Sequence, residues 1–251
     1  MNLPAGDILG VRVHALTMPL ALETIAGWIA QRTPHYVCVT PAHAVMAYRR
    51  DPALVRIVNN SGLTTPDGMS IVWLLRAQGF PQVERVYGPD LLLAACAYGL
   101  SRNWRHYFYG GAPGVPEALA QRLQARFPGL QVAGTYSPPF RPLTPAEDAE
   151  AVARIRTAAP DIVWVGLGTP RQERWMAEHC TALGVPALIG VGAAFDFLSG
   201  RKPQAPRWVQ RSGLEWLFRL ATEPRRLWRR YAEYPWFAAL VLWQWLRGGR
   251  R

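Results

Sequence analysis

Apolar and polar positions follow two different periods along this chain, and the alternation between them predicts its elements. Tyr36–Thr40 is a short, almost continuous apolar run, the pattern of a buried strand. From Pro41 to Asn59 the apolar residues recur at helical spacing, with a break at Asp51-Pro52. Thr64-Thr65-Pro66-Asp67-Gly68 is rich in turn formers and predicts a turn. Ile71, Val72, Leu74 and Leu75 predict a helix over Met69–Gln78, and Gly88-Pro89-Asp90 opens a second one over Leu91–Ser101. The second half is more regular. Strands are expected at Arg105–Tyr109, Leu130–Tyr136, Asp161–Leu167 and Ala187–Val191. Helices are expected from Gly114 to Phe127, from Thr144 to Ala159 with Glu147 completing a capping box, and over Gln172–Leu183. Strand, glycine turn, helix, strand is the order of a doubly wound α/β fold with a mostly parallel sheet and helices on both faces.

Ligands in such sheets bind at the carboxyl ends of the strands. The conspicuous loops all fall there: Thr40-Pro41, Gly110–Gly114, Gly166–Gln172 and Gly190–Asp196. Gly110-Gly111-Ala112-Pro113-Gly114 leads from a strand into a helix, where free amides could hold a phosphate; a tight turn explains it equally well. Gly168-Thr169-Pro170-Arg171-Gln172 is a second such turn and adds two side chains able to bind phosphate or sugar oxygens. Two glycine turns on one edge favour a nucleotide phosphate. Asp67 reads either as a turn or helix cap or as a general base on a loop, and Asp90 carries the same ambiguity with capping favoured. Asp196 follows an apolar strand, where a carboxylate can accept from a ribose or a base.

The charge is uneven. Of a net +11, residues 200–251 carry +9, from twelve Lys/Arg against three Glu, together with six of the eleven Trp. The change at Arg201 divides the chain into an α/β domain, 1–199, and a basic amphipathic helical appendage, 200–251, with short helices at Gly213–Ala221 and Glu223–Tyr231. Basic residues interleaved with Trp and Tyr suit an anionic lipid surface; a solvated basic face on ordinary helices is the plainer alternative. No zinc finger, RNA-recognition or helix-turn-helix pattern accompanies the charge, so nucleic acid is not expected as a partner. Nor is a signal peptide or a run of about 18 apolar residues expected to carry the chain into or across a membrane. Three separated cysteines (Cys38, Cys96, Cys180) and five histidines show no metal-ligand spacing, and Asp-x-Asp is absent, so no metal is expected. A nucleotide-cofactor oxidoreductase on the same sheet would need Gly-x-Gly-x-x-Gly with an acidic residue about 20 positions later, which is missing. A non-enzymatic membrane or nucleic-acid adaptor using the basic tail remains the other rival.

These segments, taken together, resemble the WecG/TagA/CpsF family of bacterial glycosyltransferases over about Asp7 to Tyr231. The matching pieces are Val39-Thr40-Pro41, Thr65–Met69, Arg85–Asp90, Tyr109–Gly114, Val165–Glu173, Gly190–Phe197, Ala205–Trp208 and Gly213–Trp216. The resemblance implies an inverting enzyme with a Rossmann-like core. It would move a hexose or N-acetylhexosamine-type sugar from a UDP-sugar, a substrate and not a cofactor, to an undecaprenyl-diphosphate-linked sugar in cell-surface polysaccharide synthesis. Carried over by position, the base is Asp67, and Thr40, Arg85 and Gln172 stand with it; Arg219, Arg226 and Arg229 of the appendage close over the diphosphate and help dock the enzyme. With Gly110, Gly111, Gly114, Gly168, Arg171 and Asp196 these form the expected site. The implied location is cytoplasmic, peripheral on the inner face of the membrane, and self-association is left open. One departure stands out: the family commonly has Thr-Pro-Asn, whereas Ala42 and then His43 follow Thr40-Pro41 here. The extension Tyr234–Arg251 is longer and more apolar than the family minimum and is expected to form an interfacial helix.

Overall fold

In the computed structural model, which describes residues 3–248, six parallel strands form one twisted sheet in the order β4-β3-β8-β7-β5-β6. They are β3 (His35–Thr40), β4 (Leu63–Pro66), β5 (Arg105–Gly110), β6 (Gln131–Tyr136), β7 (Ile162–Gly166) and β8 (Ala187–Gly190). A separate antiparallel hairpin, β1 (Ala5–Ile8) and β2 (Val11–His14), precedes them. Its two-residue turn holds both Leu9 (φ 56°) and Gly10 (φ 87°) at positive φ, the twist-matched hairpin geometry.

Period-two alternation sorts the sheet residues into two cores. Tyr36, Cys38, Tyr107, Tyr109, Val163 and Val165 face one way. There they pack on α2 (Ala42–Arg49), α3 (Pro52–Asn59), α4 (Met69–Ala77), α7 (Pro145–Ala158) and α8 (Arg171–Leu183). Val37, Val39, Phe108, Ile162, Trp164 and Ile189 face the other way, onto α1 (Met18–Gln31), α5 (Gly88–Gly99), α6 (Val115–Arg126) and the short α9 (Ala194–Leu198). The central strands are sealed on both faces, which explains their unbroken apolar runs. Thr144 caps α7 in the predicted capping box with Glu147.

The chain from residue 200 onward adds α10 (Arg207–Arg211), α11 (Glu215–Thr222), α12 (Pro224–Tyr231) and α13 (Tyr234–Gly248). These helices are anchored on the rest. Leu227, Tyr231 and Phe237 are buried, and Phe237 joins the core beside α2. The Gln244 side chain accepts from Leu9 N at 3.0 Å and donates to Asp7 Oδ1 at 2.5 Å, tying α13 to the hairpin. The predicted extension at Tyr234–Arg251 is α13 through Gly248; its last three residues lie outside the described ones.

One element differs from the sequence reading. Thr64-Thr65-Pro66, predicted as a turn, is the body of edge strand β4. Its polar side chains are satisfied internally: Thr64 Oγ1 shares a hydrogen bond with Ser61 Oγ at 2.9 Å, and Thr65 Oγ1 donates to the Val86 carbonyl at 3.2 Å. Pro66 is tolerated because it closes a strand at the sheet margin. The turn itself is confined to Asp67-Gly68, where Gly68 at φ 87° swings the chain into α4.

Candidate active site

Parallel pairing places Thr40 beside Pro66, so β3 and β4 end together and the Asp67 amide donates to the Thr40 carbonyl at 3.3 Å. Gly68 in turn occupies the cap position of α4, without a side-chain cap bond. The Asp67 carboxylate is therefore free of capping duty and points to Arg85, whose Nη2 donates to Oδ1 at 3.2 Å. The same Nη2 donates to Glu215 Oε2 at 2.5 Å, and the Tyr87 hydroxyl donates to Glu215 Oε1 at 2.8 Å. The Arg85 guanidinium also lies 3.9 Å from the Tyr87 ring centre. Asp67, Arg85 and Glu215 side chains are 14%, 14% and 12% exposed, so the triad is screened from water on most sides.

Burial raises the Asp67 pKa to about 6, with Arg85 opposing the rise and the Glu215 charge adding to it. A carboxylate tuned to that value is largely ionised at neutral pH yet basic enough to take a proton.

Asp67 lies in a pocket of about 530 Å³, the size of a small-molecule site. Four regions line it: the start of α2 at Pro41–His43, the stretch from Asp67 along α4, Arg85 with Tyr87, and the appendage. Arg219 contributes a guanidinium whose Nε is buried without a hydrogen-bond partner. Burial and then the nearby Arg219 charge lower the Arg230 pKa. His43 meets the same cations: burial, then Arg230 and Arg219, hold its ring well below the usual imidazole range, so it is neutral. A guanidinium with an unpartnered buried nitrogen beside a buried carboxylate suits a ligand that carries an anion and a neutral polar group together.

Of the residues singled out in the sequence, Asp67, Arg85 and Arg219 meet in this pocket. Thr40 is fully buried next to it, its hydroxyl donating to the Cys38 carbonyl at 3.2 Å. Gln172 sits deeper on the same sheet edge, where Oε1 accepts from Gly168 N at 3.2 Å and Nε2 donates to Glu173 Oε1 at 3.1 Å. Glu173 Oε1 also accepts from Tyr48 and Thr169, while its Oε2 is buried and unpartnered. The first glycine loop has a packing reason. Gly110 stands at φ 115°, and a Cβ there would fall 2.7 Å from the Gly166 carbonyl carbon. The Gly111 amide donates to Gly166 O at 3.1 Å and is not free for phosphate. Gly110, Gly111, Gly114, Arg171 and Asp196 do not line the Asp67 pocket. Arg171 lies 5.1 Å from the Phe140 ring. Asp196 pairs with Lys202 at 3.0 Å; Lys202 pairs with Glu223 and Glu223 with Arg226, an ionic chain from core to appendage. Arg229 is exposed and rests on the Trp228 ring. Asp90, the other ambiguous carboxylate, binds Arg207 at 2.7 Å and caps nothing.

Sequence reasoning gave no role to Tyr87, Glu215 and Arg230. The first two lie within the segments Arg85–Asp90 and Gly213–Trp216 that carried the resemblance, which was the available signal. Arg230 stood unmarked among four arginines of α12.

Comparison with known proteins follows the same lines. The glycosyl transferase WecG/TagA/CpsF family model matches residues 6–251. Among relatives, the N-acetylglucosaminyldiphosphoundecaprenol N-acetyl-beta-D-mannosaminyltransferase of Bacillus spizizenii is 31% identical over 194 residues, covering 77% of this chain and 73% of that protein. The enzyme of that name from Bacillus subtilis is 28% identical, covering 90% and 89%, and that from Staphylococcus aureus 27%, covering 89% and 87%.

Proposed function

Because the chain belongs to the WecG/TagA/CpsF family of glycosyl transferases, we propose that it moves one sugar from a UDP-sugar to N-acetylglucosamine carried on undecaprenyl diphosphate, at the cytoplasmic face of the membrane. The relatives' names supply the acceptor and make UDP-N-acetylmannosamine the first donor to try. They also specify a β-linked product. A β bond formed from an α-linked nucleotide sugar requires inversion, and hence a single displacement.

In that step Asp67 takes the proton of an acceptor hydroxyl while its oxygen bonds to the anomeric carbon. The bond from that carbon to the phosphate oxygen breaks, and UDP departs with the electron pair. The observation that carries this reading is the buried Asp67, with a pKa of about 6, in one pocket with an unpartnered Arg219 nitrogen. Arg219 is suited to the charge that grows on the leaving diphosphate, and such stabilisation is commonly worth several kcal/mol. Arg85 is engaged by both Asp67 and Glu215 and serves to orient the base. Because Glu215 belongs to α11, the appendage completes the site. Ala42 lines the pocket where the family commonly carries Asn, so its space and the neighbouring His43 act on sugar choice.

The deciding experiment incubates the enzyme with a panel of UDP-sugars and a short-chain lipid-diphosphate N-acetylglucosamine, and weighs the product. A mass gain of one sugar is expected with one donor. Asp67→Asn is expected to lower turnover by about a thousandfold or more with UDP affinity nearly intact. Turnover within tenfold of the parent protein removes Asp67 from the base role.

A further inference from the structure

The Asp67 pocket does not end at its charged floor. From Gly68 the chain enters α4, which leads away from the base and is apolar on two sides. Ile71, Val72 and Leu75 are sealed in the core, whereas Trp73 and Ala77 are exposed and, with Leu74, line the pocket. Opposite them stands α13, anchored by buried Phe237, whose Ala238, Leu242 and Trp245 line the same cavity. From Met69 to Ala77, and from Phe237 to Trp245, is about 12 Å of helix on each wall. The two walls thus frame a trough that starts at Asp67 and opens among Trp73, Leu242 and Trp245, each at least half exposed. Gly213, at φ 79°, lets the turn before α11 lie against the Trp73 ring; a Cβ there would stand 2.7 Å from it.

We propose that the trough between α4 and α13 binds the first prenyl units of the lipid-linked acceptor and so selects acceptors by their lipid as well as by their sugar. This rests on the transferase reading for the identity of the headgroup. The chemistry of the trough matches one ligand end to end. Its floor holds the base and the unpartnered Arg219 nitrogen, which fit a phosphorylated sugar headgroup, and its walls are apolar. Its mouth opens among the exposed Trp and Leu side chains of α13, as a chain continuing into a bilayer requires. A wholly apolar partner leaves the Arg219 nitrogen unmatched, and a soluble sugar phosphate leaves the walls wet.

Two measurements test it on the full chain. In the first, calorimetry compares farnesyl diphosphate with methyl diphosphate. At least tenfold tighter binding of the prenyl form is expected, falling toward equality in Ala238→Glu and in Leu242→Glu. Both are exposed helix positions whose substitution leaves the core intact. In the second, kcat/KM is compared for farnesyl- and methyl-diphosphate N-acetylglucosamine, and the same preference and the same collapse are expected. Equal binding of the two diphosphates overturns the trough, as does a preference that both variants retain. The two readings fail separately. Prenyl selectivity in binding without any sugar transfer removes the transferase and keeps the trough, whereas transfer to both acceptors with equal kcat/KM does the reverse.

Discussion

Asp67 is held between opposing influences. Burial disfavours its charge and the Glu215 carboxylate adds to that, while Arg85 favours it, and burial wins, leaving a pKa of about 6 against an ordinary 3.8. Two consequences follow with defined signs. In the proposed transfer Asp67 works ionised, so kcat/KM is expected to climb with pH and level off above about 6. Glu215→Gln removes a charge that raises Asp67 and leaves Arg85 and Arg219 to lower it, so the acid limb is expected to move to lower pH. A pH–rate series on both proteins checks this, and an unmoved limb severs Glu215 from the base. For stability, a folded pKa above the unfolded one contributes fully below about 3.8, and that contribution is lost as pH rises through about 6. Above that, the ionised side chain opposes folding by about 3 kcal/mol. Asp67→Asn is therefore expected to melt no lower than the parent protein at pH 7.5, by calorimetry, while losing turnover. Such a trade of stability for chemistry is common at active sites.

Among the elements, those whose character is set by nearest neighbours were legible in the sequence. The Asp161–Leu167 run is β7, and Thr144 with Glu147 caps α7. Edge strand β4 was not, because Thr-Thr-Pro reads as a turn until the partners of its hydroxyls are known, and these come from α3 and from the segment before α5. The glycine turns were found but their purpose stayed open, since close backbone approach and phosphate binding both call for glycine. Contact with Gly166 supplies a reason at Gly110. Gly110→Ala is expected to cost about 2 kcal/mol or more, because strain at positive φ adds to a collision with backbone. Gly114→Ala, at φ 82° in open space, is expected to cost about 1 kcal/mol. Denaturant melts and UDP titrations of the two variants separate the roles. Stability lost with UDP affinity kept identifies packing, and the reverse identifies a phosphate cradle. Of the residues that line the pocket, Asp67, Arg85 and Arg219 were legible through the resemblance. The long-range pairing of Glu215 with Arg85, 130 residues apart, was not, because no local pattern encodes it.

Across the whole molecule, charge and exposed aromatic surface are concentrated at one end of the chain. The last 52 residues hold +9 of the net +11, and the large exposed hydrophobics from Trp208 to Leu246 fall in the same stretch. No helix among the described residues is long and apolar enough to cross a membrane. On the proposed docking to a membrane, two forces would act. Each Lys or Arg near an anionic bilayer adds about 1 kcal/mol, and that share is screened as the Debye length falls from about 10 Å at 0.1 M salt to about 3 Å at 1 M. Burial of indole at the interface is far less sensitive to salt. Sedimentation with phosphatidylglycerol vesicles is accordingly expected to weaken steeply from about 0.05 to 0.5 M salt and then to level off at a residue of binding. Replacing Trp236, Trp243 and Trp245 by Ala is expected to abolish that residue and leave the low-salt binding largely in place. Their side chains are 51–61% exposed, so the substitutions spare the core. Binding that ignores salt makes the tail an apolar anchor alone, and binding that vanishes at high salt in the parent protein makes it purely electrostatic. Both forces acting at the open end of the pocket would hold the trough toward the bilayer while Asp67 faces the headgroup region, the orientation that transfer to a lipid-borne sugar demands.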